Sequence, residues 1–225
     1  MNSSGIDMTP ITEHSNLEAQ LIDDIADALA QQGFIHLQHF LPEWLANQLM
    51  HEAKHLASIE FKPAGIGRNN NQQINSQVRT DSTMWFSGNS APQKAYLDWM
   101  EQLRMGLNKR LFMGLFDFEC HFSHYSTGDF YQRHLDAFKG RSNRILSSVF
   151  YLNPHWNKNN GGELLLYADE QPSPLLTVSP EFNSCIIFLS DVFPHEVLVS
   201  RCDRFSIAGW HRVNSQSVKH VDPSQ

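Results

Sequence analysis

At Phe116 the hydrophobic period of this chain changes, and that change limits the fold more than any other feature of the sequence. Upstream, apolar residues recur every three to four positions. Leu17, Leu21, Ile25, Ala28 and Leu29 form one stripe, Leu45, Leu49, Ala53 and Leu56 a second, and Tyr96, Met100, Leu103, Leu107 and Leu111 a third. Each stripe predicts a helix. Asn16 is placed to cap the first and Gly33 to end it, a short strand follows over 34–38, Pro42 falls where a first helical turn tolerates it, and the third helix spans 92–111. From Phe116 the period is two: Phe116, Phe118, Cys120 and Phe122 alternate with Asp117, Glu119, His121 and Ser123, as in a half-buried strand. Further strand-like runs over 144–152, 163–168, 175–178, 185–189, 195–199 and 204–211 are separated by turns rich in Asn, Gly, Pro and Asp. Helices followed by about eight short strands predict an α+β fold, a double-stranded β-helix (a jelly-roll or cupin-like barrel) flanked by N-terminal helices.

The organisation expected is one domain of ordinary size for 225 residues. Residues 1–15 are polar and predicted to be poorly ordered. Residues 16–115 form a helical support carrying a mobile Gly- and Asn-rich loop over 62–76, and 116–213 form the strand-rich core.

Within the strand-rich half, Phe130-Tyr131-Gln132-Arg133-His134-Leu135-Asp136 sets an imidazole and a carboxylate two positions apart. On an extended segment both project to the same side, where they can grip one metal ion. Two histidines and one carboxylate are the usual way to hold non-haem Fe(II) with positions left open, so a distant second histidine is required. His195, in Asp191-Val192-Phe193-Pro194-His195-Glu196-Val197, is the candidate, since it opens an apolar run just after a proline. Arg204 then starts a strand in which Arg204, Ser206 and Ala208 share one face. A buried arginine beside a metal needs an anion, and a dicarboxylate co-substrate supplies one through a bidentate contact.

His-x-Asp, a distant His and then Arg-x-Ser together resemble the 2-oxoglutarate- and Fe(II)-dependent oxygenases. Within them the chain is similar to the prolyl hydroxylase domain group, the prolyl 4-hydroxylases that include oxygen-sensing animal enzymes and a bacterial branch, over residues 33–212. The resemblance implies a dioxygenase in which His134, Asp136 and His195 bind Fe(II). Arg204 anchors 2-oxoglutarate by its distal carboxylate, where the collagen-type branch is expected to carry Lys, and the Tyr151 hydroxyl donates to the same carboxylate. Tyr125 and Ser206 complete the co-substrate pocket. Arg79 and Asp81, in an Arg-x-Asp segment, form a local ion pair beside a substrate-covering loop, and Trp210 lies near the substrate entrance. Gly161-Gly162-Glu163 matches a family turn and is given no chemistry. The reaction implied consumes O2 and 2-oxoglutarate, releases succinate and CO2 and hydroxylates a prolyl residue, with ascorbate as the reductant that keeps iron ferrous. Pro63-Ala64-Gly65-Ile66-Gly67, the run 116–122 and the run 130–136 look close to the bacterial branch, which implies elongation factor Tu as the protein substrate.

Other readings are weaker. A formal charge of −7 disfavours a nucleic-acid partner held by bulk electrostatics, and with it a nucleic-acid demethylase. His51-Glu52-Ala53-Lys54-His55 satisfies the zincin pattern H-E-x-x-H but falls on the polar face of a predicted helix without an identifiable third ligand, so it reads as a solvated face. Gly65-x-Gly67 lacks the third glycine and the strand-to-helix setting of a nucleotide loop. Cys120, Cys185 and Cys202 read as free thiols of a reducing compartment. With no basic-then-apolar leader and no run of membrane-spanning length, the expected location is the cytoplasm, with no membrane partner. An oxygenase acting on a free amino acid or other small molecule, and a non-catalytic sensor of metal and 2-oxoglutarate, are the competing hypotheses.

Overall fold

The structure, a computed structural model, describes residues 17–65, 75, 77–137, 142–169 and 171–214. The expected order of 1–15, the proposed cap at Asn16 and most of the 62–76 loop lie outside the described residues. Helix α1 (Ala19–Gln31) starts instead with Glu18 at its cap position, without a side-chain cap bond. It ends as expected: Gly33, at φ +83°, donates its N–H to the Ala28 and Leu29 carbonyls. Strand β1 (Phe34–Leu37), helix α2 (Glu43–Leu56), strands β2 (Lys62–Pro63) and β3 (Ser82–Trp85) and helix α3 (Ala91–Leu111) follow. The strand-rich half contributes β4 (Leu115–Tyr125), β5 (Tyr131–His134), β6 (Arg144–Tyr151), β7 (Leu164–Leu166), β8 (Leu176–Val178), β9 (Cys185–Leu189), β10 (His195–Val197) and β11 (Arg204–Val213).

These strands form two antiparallel sheets, a major one in the order β1-β9-β6-β11-β4-β3-β2 and a minor one in the order β5-β10-β7-β8. The predicted double-stranded β-helix is present, and it gains strands from the helical half. The helical stripes pack onto one face of the major sheet: Ile25, Leu49, Tyr96, Met100 and Leu103 join Phe122, Phe150, Ile187 and Ile207 in a single core. Each such side chain stabilises the fold by about 1.5–3 kcal/mol through burial. The opposite face of the major sheet meets the minor sheet, where Tyr151, Leu164, Leu166, Val178, Ile186 and Phe188 form a second core.

Strand β4 departs from the half-buried expectation. His121 and Ser123, its polar set, are as buried as Cys120 and Phe122. Period two holds, but both faces are covered, one by helices and the other by the space between the sheets.

Candidate active site

The site is built where one end of the minor sheet opens between the two layers. β5 and β10 are antiparallel neighbours with His134 directly opposite His195. One ligand atom from each of His134, Asp136 and His195 lies within 4.8 Å of the others. Asp136 Oδ1 is 3.6 Å from His134 Nε2, and Asp136 Oδ2 is 3.6 Å from His195 Nε2. Strand alternation is not what brings Asp136 in, because β5 ends at His134 and the carboxylate sits in the bend beyond it. Hydrogen bonds hold that bend: the Ser147 hydroxyl donates to Asp136 Oδ2 at 2.6 Å, and the Ala137 N–H donates to the Ser190 carbonyl at 3.3 Å.

Both imidazoles are oriented by the backbone. Nδ1 of His134 lies 2.8 Å from the Gln132 carbonyl and Nδ1 of His195 lies 3.2 Å from the Phe193 carbonyl. A carbonyl only accepts, so each Nδ1 is the donor and each Nε2 is turned toward the shared point. Burial, reinforced by His134, lowers His195 to about 4. Burial alone would raise Asp136, but His195, His134 and the Ser147 hydroxyl outweigh it and hold the carboxyl well below its usual range. A neutral imidazole and an ionised carboxylate are the states that bind a divalent cation. The two-nitrogen, one-oxygen set suits a non-haem transition metal with open positions.

A stacked column braces His134. The Tyr131 ring lies 3.6 Å from the imidazole at 14°, and the Arg79 guanidinium sits 4.3 Å above Tyr131. Arg79 donates through Nε and Nη2 to the two Asp81 oxygens at 2.7 and 2.6 Å. Asp81 has no exposed surface. The expected local pair is therefore a buried one, and burial, which works against the Arg79 charge, is outweighed by Asp81.

A cavity of about 390 Å3 extends from the triad to Arg204. Arg204, Ser206, Ala208 and Trp210 present alternate positions of β11 to it, as the sequence predicts for the first three, and Tyr125 joins them from β4. Arg204 is 1% exposed, yet its guanidinium is incompletely used. Nε donates to the Gly162 carbonyl at 2.9 Å and Nη1 to Ser206 Oγ at 3.2 Å, while Nη2 has no partner. The buried Tyr151 hydroxyl is also unpaired, and its ring lies 5.2 Å from the Arg204 guanidinium carbon. Tyr125 is on another side of the same guanidinium, at 4.7 Å. Two orphaned donors, one of them cationic, suit a carboxylate, because leaving them unpaired costs about 1–3 kcal/mol each. Gly162 makes this arrangement fit: at φ +68°, a Cβ there would lie 3.0 Å from Arg204 Cδ.

Sequence reasoning missed several lining residues. His121 and Ser123 face the cavity from β4, Arg144 from β6 and Trp85 from β3. Trp210 carries the Arg144 guanidinium 3.6 Å above its ring, and Glu119 Oε1 accepts from Arg144 Nε and Nη2 at 2.9 and 2.7 Å. Trp85, half exposed, meets His121 edge-on at 4.9 Å. The parity of β4 could have found His121 and Ser123, which lie four and two positions before Tyr125.

Gly67 of the Gly65-x-Gly67 motif lies outside the described residues. His51 and His55 are exposed on α2, Glu52 accepts from Gln93, and the triad is the only three-residue metal-binding group among the described residues. Cys120, Cys185 and Cys202 are free thiols. A larger cavity, about 560 Å3, lies on the other face of β11 against His124, Cys202 and Phe205 and contains no triad residue. Among the described residues no helix is long and apolar enough to cross a membrane.

Comparison with known proteins agrees with this geometry. The profile of the 2OG-Fe(II) oxygenase superfamily matches residues 120–212, which hold the triad and Arg204. A Pseudomonas putida prolyl-4-hydroxylase of known crystal structure is 35% identical with a TM-score of 0.78, over 86% of this chain and 100% of that one. A Trichoplax adhaerens prolyl hydroxylase, solved in complex with a peptide fragment of the hypoxia inducible factor oxygen degradation domain, is 25% identical with a TM-score of 0.77, over 86% and 90%. The human prolyl hydroxylase EGLN3 is 25% identical over 211 residues, 87% of this chain and 85% of its own. The likeness spans the helical support as well as the barrel, and the chain belongs to the 2OG-Fe(II) oxygenase superfamily as a prolyl-hydroxylase-type dioxygenase that uses Fe(II), 2-oxoglutarate and O2.

Proposed function

We propose that this protein hydroxylates a prolyl residue, at C4, in a protein substrate, elongation factor Tu, in the cytoplasm, with ascorbate keeping the iron ferrous. The observation that carries the reading is the buried Arg204, its Nη2 unpaired and Tyr151 beside its guanidinium, sharing one cavity with a three-ligand metal triad. Likeness to prolyl hydroxylases from a bacterium and from animals supports the prolyl target. The resemblance of residues 63–67, 116–122 and 130–136 to the bacterial branch supports the choice of elongation factor.

In this reading His134, Asp136 and His195 hold Fe(II) through two Nε2 atoms and one carboxylate oxygen. When bound, the metal and 2-oxoglutarate supply the oxidising power, one atom of O2 going into succinate as CO2 leaves and the other into a prolyl C–H bond. Arg204 binds the distal carboxylate of 2-oxoglutarate, Tyr151 donates a second hydrogen bond to it, Ser206 fixes the guanidinium, and Tyr125 closes the side of the pocket. These residues orient the co-substrate and exclude water, so that oxidation is directed at the bound substrate. Trp210 and Arg79, the latter held by the buried Asp81, form the wall against which we place the substrate.

The test is mass spectrometry of purified elongation factor Tu after incubation with the enzyme, Fe(II), 2-oxoglutarate and ascorbate, with His134→Ala as the control. A one-oxygen gain on a prolyl residue, absent in the control, is the expected result. Succinate production stimulated by a free amino acid or another small metabolite, with no protein modification, would replace the protein substrate with a small one. Retention of Mn(II) and 2-oxoglutarate with no product from any substrate would make the protein a sensor.

A further inference from the structure

Asp136 is the one triad member that its own strand does not place, and two buried serines from the other sheet do that work. Ser147, central in β6, donates its hydroxyl to Asp136 Oδ2 at 2.6 Å. Ser190, just beyond β9, has its Oγ 2.9 Å from Ser147 Oγ. A hydroxyl has one proton, and Ser147 has given its own to the carboxylate, so Ser190 is the donor in the second bond. The chain therefore runs Ser190 to Ser147 to Asp136 in one direction. Ser147 is 1% exposed and Ser190 not at all, so water does not compete for either hydroxyl. The Ser190 backbone is fixed at both ends, its N–H bonded to Ile145 O at 3.0 Å and its carbonyl receiving the Ala137 N–H.

We propose that Ser147 and Ser190 are positioning residues that hold the Asp136 carboxylate as a ligand through a single oxygen, Oδ1. A six-coordinate metal with three protein donors has three sites left, two for a keto acid and one for O2. A carboxylate that turned to bind through both oxygens would take one of them. Each oxygen is 3.6 Å from one histidine Nε2, so what tells them apart is the Ser147 hydroxyl, which engages Oδ2 and keeps it from the metal while Oδ1 is left to bind. Ser190 acts through Ser147, polarising its O–H bond and fixing its rotamer. The proposal rests on Asp136 being a metal ligand, and the test separates the two.

Metal-free wild type, Asp136→Ala, Ser147→Ala, Ser147→Thr and Ser190→Ala are titrated with Mn(II) under nitrogen without 2-oxoglutarate. The electron paramagnetic resonance signal of the unbound ion is followed, and the Co(II) absorption spectrum of each variant reports coordination. Loss of Ser147 weakens Mn(II) binding by about 10–100-fold, the usual effect of removing a hydrogen-bond partner of a ligand. It also changes the Co(II) band intensity. Ser147→Thr keeps the hydroxyl and binds within a few-fold of wild type, and Ser190→Ala shows a smaller loss than Ser147→Ala. Wild-type Mn(II) affinity and Co(II) spectrum in Ser147→Ala, alongside lost binding in Asp136→Ala, overturn the positioning role and leave the ligand assignment standing. Unchanged binding in Asp136→Ala overturns both. If Ser147→Ala does not fold, by far-UV circular dichroism, Ser190→Ala decides: weakened binding in a folded protein upholds the chain and unchanged binding overturns it.

Discussion

Replacing Tyr151 with Phe should make the ligand-free protein more stable and the enzyme worse at holding its co-substrate. The hydroxyl is fully buried and makes no close hydrogen bond within the protein, the Arg204 guanidinium being its charged neighbour. Such a group costs about 1–3 kcal/mol, and Phe fills the same space without it. Taking the low end, about 1 kcal/mol of added stability raises the melting temperature by roughly 2–4 °C in a chain of this size. With 2-oxoglutarate the sign reverses. A hydrogen bond to a charged acceptor is worth about 1.5–3 kcal/mol, so Tyr151→Phe should weaken 2-oxoglutarate binding by roughly 10- to 150-fold. Thermal melts without ligand give the first number, and calorimetric titration of 2-oxoglutarate into Mn(II)-loaded protein under nitrogen gives the second. A variant that melts lower without ligand, or binds 2-oxoglutarate as wild type does, refutes the reasoning, since either shows that the hydroxyl was already satisfied in the free protein.

Arg79→Ala leaves Asp81 buried without its cation and should cost about 3–5 kcal/mol in urea unfolding; a loss under 1 kcal/mol would place the pair in solvent. Gly162→Ala forces a side chain into a left-handed backbone position against Arg204 and should raise KM for 2-oxoglutarate more than it lowers stability, which steady-state kinetics and a melt together decide. His211, buried against the Met100 carbonyl, is lowered to about 4 chiefly by burial. The unfolded chain takes up this proton below about pH 6.5 and the native one only near 4, so stability falls by up to about 3 kcal/mol between pH 7 and 4 and then levels off. His211→Gln should flatten that part of the profile, and an unchanged slope would assign the loss elsewhere.

The sequence made some of this legible and hid the rest for physical reasons. The long strands show because period two survives in β4 and β11, His134 and Asp136 show through their two-residue spacing, and His195 and Arg204 show because such residues seldom open strand-like runs. His121 and Ser123 stayed hidden because a strand lining a polar cavity alternates just as one facing water does. Only their shared parity with Tyr125 marks them as facing the site. Asp136 was found through the wrong cause, an extended segment where the structure has a bend. The support for that bend comes from Ser147 and Ser190, small polar residues in or beside apolar strands that give no local sign of what they touch. Arg79–Asp81 was legible as a pair, but not its burial or the stacking of Arg79 on Tyr131, which lies far along the chain.

The facing of His134 and His195 across β5 and β10 has a consequence for the breathing of the protein. These strands are only four and three residues long, and they sit in the sheet that lacks the helical backing of the other. A metal gripped by both histidines closes a loop of about sixty residues and acts as a latch on that sheet. The iron that equips the site for chemistry thus also selects which part of the fold stays shut, so amide exchange in β5 and β10 should slow on metal loading while the helix-backed strands keep their own rhythm.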